Sequence, residues 1–156
     1  MNGYLPIAEQ LIERHVSAEV LRDLSRLMVL PRPAAAHSVF QGASLMEQAG
    51  PLLRRLHGLI ERLPAEQTTV AVLAERLGMS ERTLARRVHA ETGQAVARYA
   101  RLIKLNQVSE RLILTALPVT SISAELGFSS DSNLRRMFKE LTGLTPAEYR
   151  QRFARL

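Results

Sequence analysis

Two short stretches of this 156-residue chain place cations where they could grip an ordered polyanion. Arg82, Ala85, Arg86 and His89 follow one another at i, i+3, i+4 and i+7, and Ser132, Arg135, Arg136 and Lys139 do the same. That spacing puts each set on one face of an α-helix. A guanidinium can donate two parallel hydrogen bonds to N7 and O6 of guanine in a major groove, so Arg82, Arg86, Arg135 and Arg136 are the candidates for base edges. Asp131 could accept from a cytosine amino group, although capping the helix it opens is the reading its position favours. His89, Lys139, Arg87 and Lys104 suit phosphate, a contact that fixes register without carrying sequence information. Free backbone N–H groups near Thr69 and Thr120, each at the start of a short helix, offer phosphate further donors.

The elements that must position these residues repeat. At a shift of 49, Val70, Leu73, Leu77, Gly78, Met79 and Ser80 line up with Val119, Ile122, Leu126, Gly127, Phe128 and Ser129. One extra residue in the second turn changes the shift to 50, after which Leu84, Arg86, Val88, Thr92 and Gly93 match Leu134, Arg136, Phe138, Thr142 and Gly143. Each unit reads as a short apolar helix, a glycine-centred turn and a second helix opened by serine, the helix-turn-helix layout. Gly78 and Gly127 fall where the chain needs positive φ to leave a helix. Ala74 and Ser123, four residues earlier, are small enough for the second helix to cross close by. A lone Ala-x-x-x-Gly carries little information, whereas two in register, each followed by a matching helix, carry much more.

Between the units, Ala95 to Leu114 predicts one helix of roughly 20 residues, about 30 Å long. Val96, Tyr99 and Ile103 form one stripe on it, and Leu105, Val108 and Leu112 form another about half a turn round. Its length is close to the ~34 Å that separates successive major-groove faces, although a plain core helix satisfies the same pattern. Pro51 to Leu63 predicts a further helix with Leu52, Leu53, Leu56, Ile60 and Leu63 on one face. Upstream, Pro6 to His15 and Ala18 to Leu30 have helical spacing, Pro31 to Pro33 stops the second of these, and residues 31 to 44 read as a linker.

Composition narrows the function. The net charge is +6 and the pI about 10.7. Residues 1 to 64 hold seven arginines against six acids, while residues 65 to 156 hold fourteen cations against nine acids, so the second part has the character of a polyanion binder. For any single arginine a solvated helix face is the commoner explanation; the stripe appearing twice beside matching turns is what favours a site. Aromatics are 4% and tryptophan is absent, which calls for an aliphatic core of packed helices. Without cysteine there is no disulfide or thiolate metal site. His15, His37, His57 and His89 lie far apart without metal-ligand spacing, and no phosphate loop or serine-nucleophile motif occurs, so no catalytic residue, metal site or cofactor is predicted. No signal-like start or membrane-length apolar run is present, giving a soluble cytoplasmic protein as the expectation.

The motifs LAERLGMSERTLARRVHAETG (73 to 93), PVTSISAELGFSSDSNLRRMFKELTG (118 to 143) and LTPAEYRQRF (144 to 153) closely resemble the DNA-binding domain of the AraC/XylS family of bacterial transcription regulators. The resemblance implies an all-α fold of two helix-turn-helix subdomains joined by a long linker helix, with an N-terminal helical extension. Residues 1–45 would be extension and linker, and residues 46–156 the DNA-binding domain. It places base contacts at Arg82, Ala85 and Arg86 in one unit and at Asp131, Ser132, Arg135 and Arg136 in the other, with double-stranded DNA as partner and RNA polymerase as a further one. Ala85 offers only a methyl group. Ser123, Lys104 and Arg111 depart from the family's usual alanine, arginine and leucine, and Arg111 is expected to loosen the linker packing. Residues 7 to 40 resemble the tail and linker of the subgroup whose sensing domain is PfpI-like, similar to class I glutamine amidotransferases. About forty residues cannot build that domain, so the chain reads as a fragment, a truncated product or a stand-alone binder. Effector binding is not expected on this chain alone, and dimerisation would need the sensing domain. The competing reading is a helix-turn-helix protein-interaction module without specific DNA binding.

Overall fold

The computed structural model describes Phe40 and residues 49–154. All of the described residues belong to one compact unit, Ala36–Leu156. The helices expected over 6–15 and 18–30 lie outside the described residues.

Regular structure among the described residues is entirely helical, as expected: α1 (Pro51–Arg62), a 3-10 turn (Ala65–Gln67), α2 (Val70–Arg76), α3 (Glu81–Thr92), α4 (Val96–Leu114), α5 (Val119–Glu125), α6 (Asp131–Thr142) and α7 (Pro146–Phe153). Proline opens α1, where its missing N–H costs nothing and its fixed φ suits the first turn. Leu53, Leu56 and Ile60 are its buried face, and Leu52 stands half-buried beside them.

Both helix-turn-helix turns close in the same way. The amide of Met79 donates to Ala74 O and that of Gly78 to Glu75 O, both at 3.0 Å. Phe128 donates to Ser123 O at 3.0 Å and Gly127 to Ala124 O at 3.2 Å. This is the Schellman arrangement, which needs a left-handed residue after the helix, and Gly78 and Gly127 supply it with φ of 68° and 69°. Ala74 and Ser123 are both buried.

Two cores result. The first joins Leu53, Leu56, Ile60, Leu73, Leu84 and Val88 to Val96, Tyr99 and Ile103 of α4. The second joins Leu105, Val108 and Leu112 of α4 to Ile122, Leu134, Phe138 and Tyr149. The two stripes of α4 therefore serve one unit each, and the helix is structural cement for both. So much of its circumference is buried that, among the central residues, Arg98, Arg101 and Glu110 carry its exposed charges.

Phe40 departs from its reading as a linker residue. It is 1% exposed and sits in the second core, its ring 6.4 Å from Phe138 and 6.5 Å, edge-on, from Tyr149. An aromatic ring of this size gains too much by leaving water to remain on a solvated connection when a ring-lined slot is within reach. The closing helix α7 completes that core. Thr145 and Glu148 form a reciprocal capping box at its start, Tyr149 is fully buried, and Arg150 donates to the carbonyls of Leu112 and Leu117, holding the end of α4.

Candidate nucleic-acid interface

The second helix of each unit is fixed at both ends, by a serine hydroxyl at its start and a left-handed glycine at its close. Ser80 caps α3, its Oγ accepting from the Thr83 amide at 3.3 Å, and Gly93 ends it with φ of 69°. For α6 the cap is Ser130, accepting from the Asn133 amide at 3.1 Å, and Gly143 ends it. The extra residue of the second unit thus lies in its turn, where Ser129 Oγ accepts from Asn133 Nδ2. Asp131 is consequently the first helical residue instead of the cap, a position where a carboxylate favours the helix dipole.

Burial of Leu84 and Val88 turns Arg82, Ala85, Arg86 and His89 outward on α3, with Arg87 also exposed. Burial of Leu134 and Phe138 turns Ser132, Arg135, Arg136 and Lys139 outward on α6, while Asp131 is half-buried. Arg82, Arg86 and Arg135 form no hydrogen bond or ion pair with other described residues, which leaves their donors to a ligand. Arg136 is engaged: Nη1 donates to Glu140 Oε1 at 2.9 Å and Nη2 to Asn133 Oδ1 at 3.0 Å. Thr69 is exposed as the cap of α2, with Oγ1 accepting from Val72, and its hydroxyl proton remains free to donate. Thr120 is exposed in the first turn of α5.

Lys104 does not join this surface. It is 2% exposed, and its Nζ donates to Glu61 O at 3.1 Å and Gln107 Oε1 at 2.9 Å. Burial lowers its pKa to about 8, against the opposing pull of the Glu61 carboxylate. A phosphate cannot reach this ammonium, so the expected contact is replaced by an internal strut between α4 and the end of α1. The sequence held a signal for this, because Ala100 and Val108, one turn either side, are apolar and buried. Arg111 corrects a second expectation: its Nε pairs with Glu125 at 2.9 Å, tying α4 to α5 where looser packing was expected.

Sequence reasoning missed Arg98 and Arg101. Both are exposed on α4 and line, with Met137, Glu140 and Leu141, a cleft of about 710 Å³ beside α6. They extend the cationic surface along the linker. No helix among the described residues is long and apolar enough to cross a membrane.

Two helix-turn-helix units, each exposing a cationic stripe on a rigidly capped second helix, define a DNA-binding domain. The family model for the helix-turn-helix domain matches residues 73–152. A Streptomyces antibioticus protein assigned as an AraC-like transcription regulator is 29% identical over 146 residues, covering 94% of this chain and 46% of its own length. This chain therefore spans about half of that relative. Among solved structures, the DNA-binding domain of AdpA, a global transcriptional factor in complex with a target DNA, is 31% identical with a TM-score of 0.59, over 67% of this chain and 94% of that one. A transcriptional regulator with an AraC-type DNA-binding domain from Chromobacterium violaceum is 26% identical with a TM-score of 0.60, over 67% and 94%. The chain belongs to the AraC-like helix-turn-helix family of DNA-binding transcription regulators.

Proposed function

We propose that this protein regulates transcription by reading a specific duplex sequence with both units at once. In this reading Arg82, Ala85 and Arg86 of α3 meet base edges in one major groove, and Asp131, Ser132, Arg135 and Arg136 of α6 meet those in the next. Thr69, Arg87, His89, Thr120 and Lys139 hold phosphates, joined by Arg98 and Arg101. The observation that carries the proposal is the pair of outward-facing cationic stripes set on one 19-residue helix. That helix is about 29 Å long, near the ~34 Å spacing of major-groove faces. The protein acts by binding in the cytoplasm, without catalysis or cofactor. Residues 46–156 form the DNA-binding part, preceded by an extension. Effector sensing, dimerisation and contact with RNA polymerase belong, in this proposal, outside the two recognition faces.

Selection of bound duplexes from a random library, with the winners measured at two salt concentrations, tests this. A motif of two half-elements one helical turn apart is expected. On it, Arg86→Ala or Arg136→Ala should cost roughly 1–3 kcal/mol and relax one base position. Lys139→Ala should instead weaken all sequences alike and lower the salt slope by about one. Salt-sensitive binding with no enriched motif would reject specific reading and favour an interaction module.

A further inference from the structure

The two turns share a backbone conformation but not a neighbourhood. At Gly78 an added Cβ would meet nothing within 4 Å. At Gly127 it would lie 2.4 Å from Pro64 Cβ and 2.8 Å from Pro64 Cα. The segment between α1 and α2, which belongs to the first unit, is packed against the turn of the second. Two backbone hydrogen bonds fasten it there: Ala65 N–H donates to Leu126 O at 2.8 Å and Glu66 N–H to Gly127 O at 3.0 Å. The segment is stiff on its own account. Gln67 N donates to Pro64 O, and both the amide and the hydroxyl of Thr68 donate to Ala65 O. Its upstream end is held by the linker helix, since Lys104 Nζ and Gln107 Nε2 both donate to Glu61 O, at 3.1 and 3.2 Å.

We infer that residues Glu61–Glu66 form a rigid spacer that fixes the second recognition helix relative to the first, so that Pro64, Ala65 and Gly127 set which half-element spacing the protein accepts. The inference rests on the two-unit reading above. The turn at Leu126–Phe128 leads directly into Ser130 and α6, so whatever holds that turn orients α6. A single linker helix packed at both ends still allows twist and bend; a second connection on a different line removes that freedom, as a second strut braces a hinge. Two modules gain from simultaneous engagement only when their geometry matches the site, so the brace becomes a measurement of distance along the DNA. Pro64, Ala65 and Gly127 act here as positioning residues that need not touch DNA.

The test uses the full chain, a duplex selected by it from a random library, and derivatives of that duplex with the half-elements moved apart or together by one or two base pairs. The unaltered protein should prefer one spacing by about tenfold or more. Gly127→Ala and Ala65→Pro should each reduce that preference below about threefold, while Gly78→Ala, which strains a backbone of the same φ, should keep it. Ala65→Pro substitutes no residue of either turn: proline suits the first residue of the 3-10 turn, and Pro64 with ψ of 146° already has the extended conformation that precedes proline. It removes the donor to Leu126 and sets the ring's Cδ where the amide hydrogen met that oxygen across 2.8 Å, so the two segments must part. Binding to a duplex with a single half-element should be the same for Ala65→Pro and the unaltered protein. Retention of the full spacing preference by Ala65→Pro would overturn the inference, as would equal loss in Gly78→Ala and Gly127→Ala. An unaltered protein with no spacing preference would instead defeat the two-unit reading on which the inference stands.

Discussion

The two helix-turn-helix units share their turns and their outward stripes, yet they are supported by different means. Behind α3 the core is aliphatic, with Val88 at the centre and Tyr99 at the edge. Behind α6 the matching position is Phe138, which stacks edge-on against Tyr149 at 5.1 Å, with Phe40 and Phe153 completing the group. The first unit is tied to the linker by a buried cation, Lys104, and the second by an ion pair, Arg111–Glu125, and by Arg150 at the end of α4. The outward faces differ as well: Arg86 is unengaged, whereas Arg136 lies along Glu140, whose counterpart in the first unit is Ala90. The duplicated motif thus shares its turn geometry and the placement of its outward stripe, while the parts that hold those helices in place differ.

The comparison breaks most visibly in the cores. Phe138→Ala should lower unfolding free energy by about 3–5 kcal/mol, the range for emptying a buried ring site, against roughly 2 kcal/mol for Val88→Ala, which removes two methyl groups. Denaturant titration of both variants measures this, and equal losses would mean the aromatic group gives the second unit no special support. The buried cation gives the next effect. Because burial lowers the Lys104 pKa to about 8, the unfolded chain holds a proton there that the folded chain lacks between that value and about 10.4. Lys104 therefore makes stability rise with pH across this window, by on the order of 2 kcal/mol from pH 8 to 10. Lys104→Met should abolish that rise in denaturant midpoints measured across the window. Tyr99 works in the opposite direction above about pH 10, since burial and then Glu91 and Glu61 raise its pKa and the folded state keeps a proton the unfolded chain loses. The smallest effect sharpens the contrast of faces. Glu140→Ala makes the second helix resemble the first; it should cost about 0.3–0.5 kcal/mol of stability. It should also tighten DNA binding by less than about threefold by releasing Arg136 and removing a negative charge. Weaker binding would mean that Glu140 presents Arg136 to the DNA.

What was legible in the sequence follows from how each feature is encoded. The turns were legible because a left-handed residue demands glycine, and Gly78 and Gly127 stand at matching positions. The role of α4 was legible because its two apolar stripes keep helical period, and the bounds Ala95 to Leu114 differ from Val96–Leu114 only by the cap. The stripes of α3 and α6 were legible for the same reason: whatever lies opposite Leu84 and Val88, or Leu134 and Phe138, must face outward. Lys104 was misplaced because charge was weighed above position, although its neighbours one turn away are apolar. Phe40 was hidden by the Pro, Ala and Ser around it, and only the scarcity of aromatics in the chain hinted at its use. The contact between residues 64–66 and 126–127 had little side-chain signature, its hydrogen bonds being made by backbone groups and its packing by Pro64 against a residue with no side chain. Its one trace was a glycine already explained by φ.

The ring of Phe40 also orders events in time. The first unit's core draws on residues between Leu53 and Ile103, so it can close over short loops as soon as the first part of α4 exists. The second core must bring Phe40 to Tyr149, partners about a hundred residues apart. Closing so long a loop costs entropy before the contact returns anything. The first unit is therefore expected to close before the second, whose aromatic slot stays unfilled until Phe40 and α7 come together.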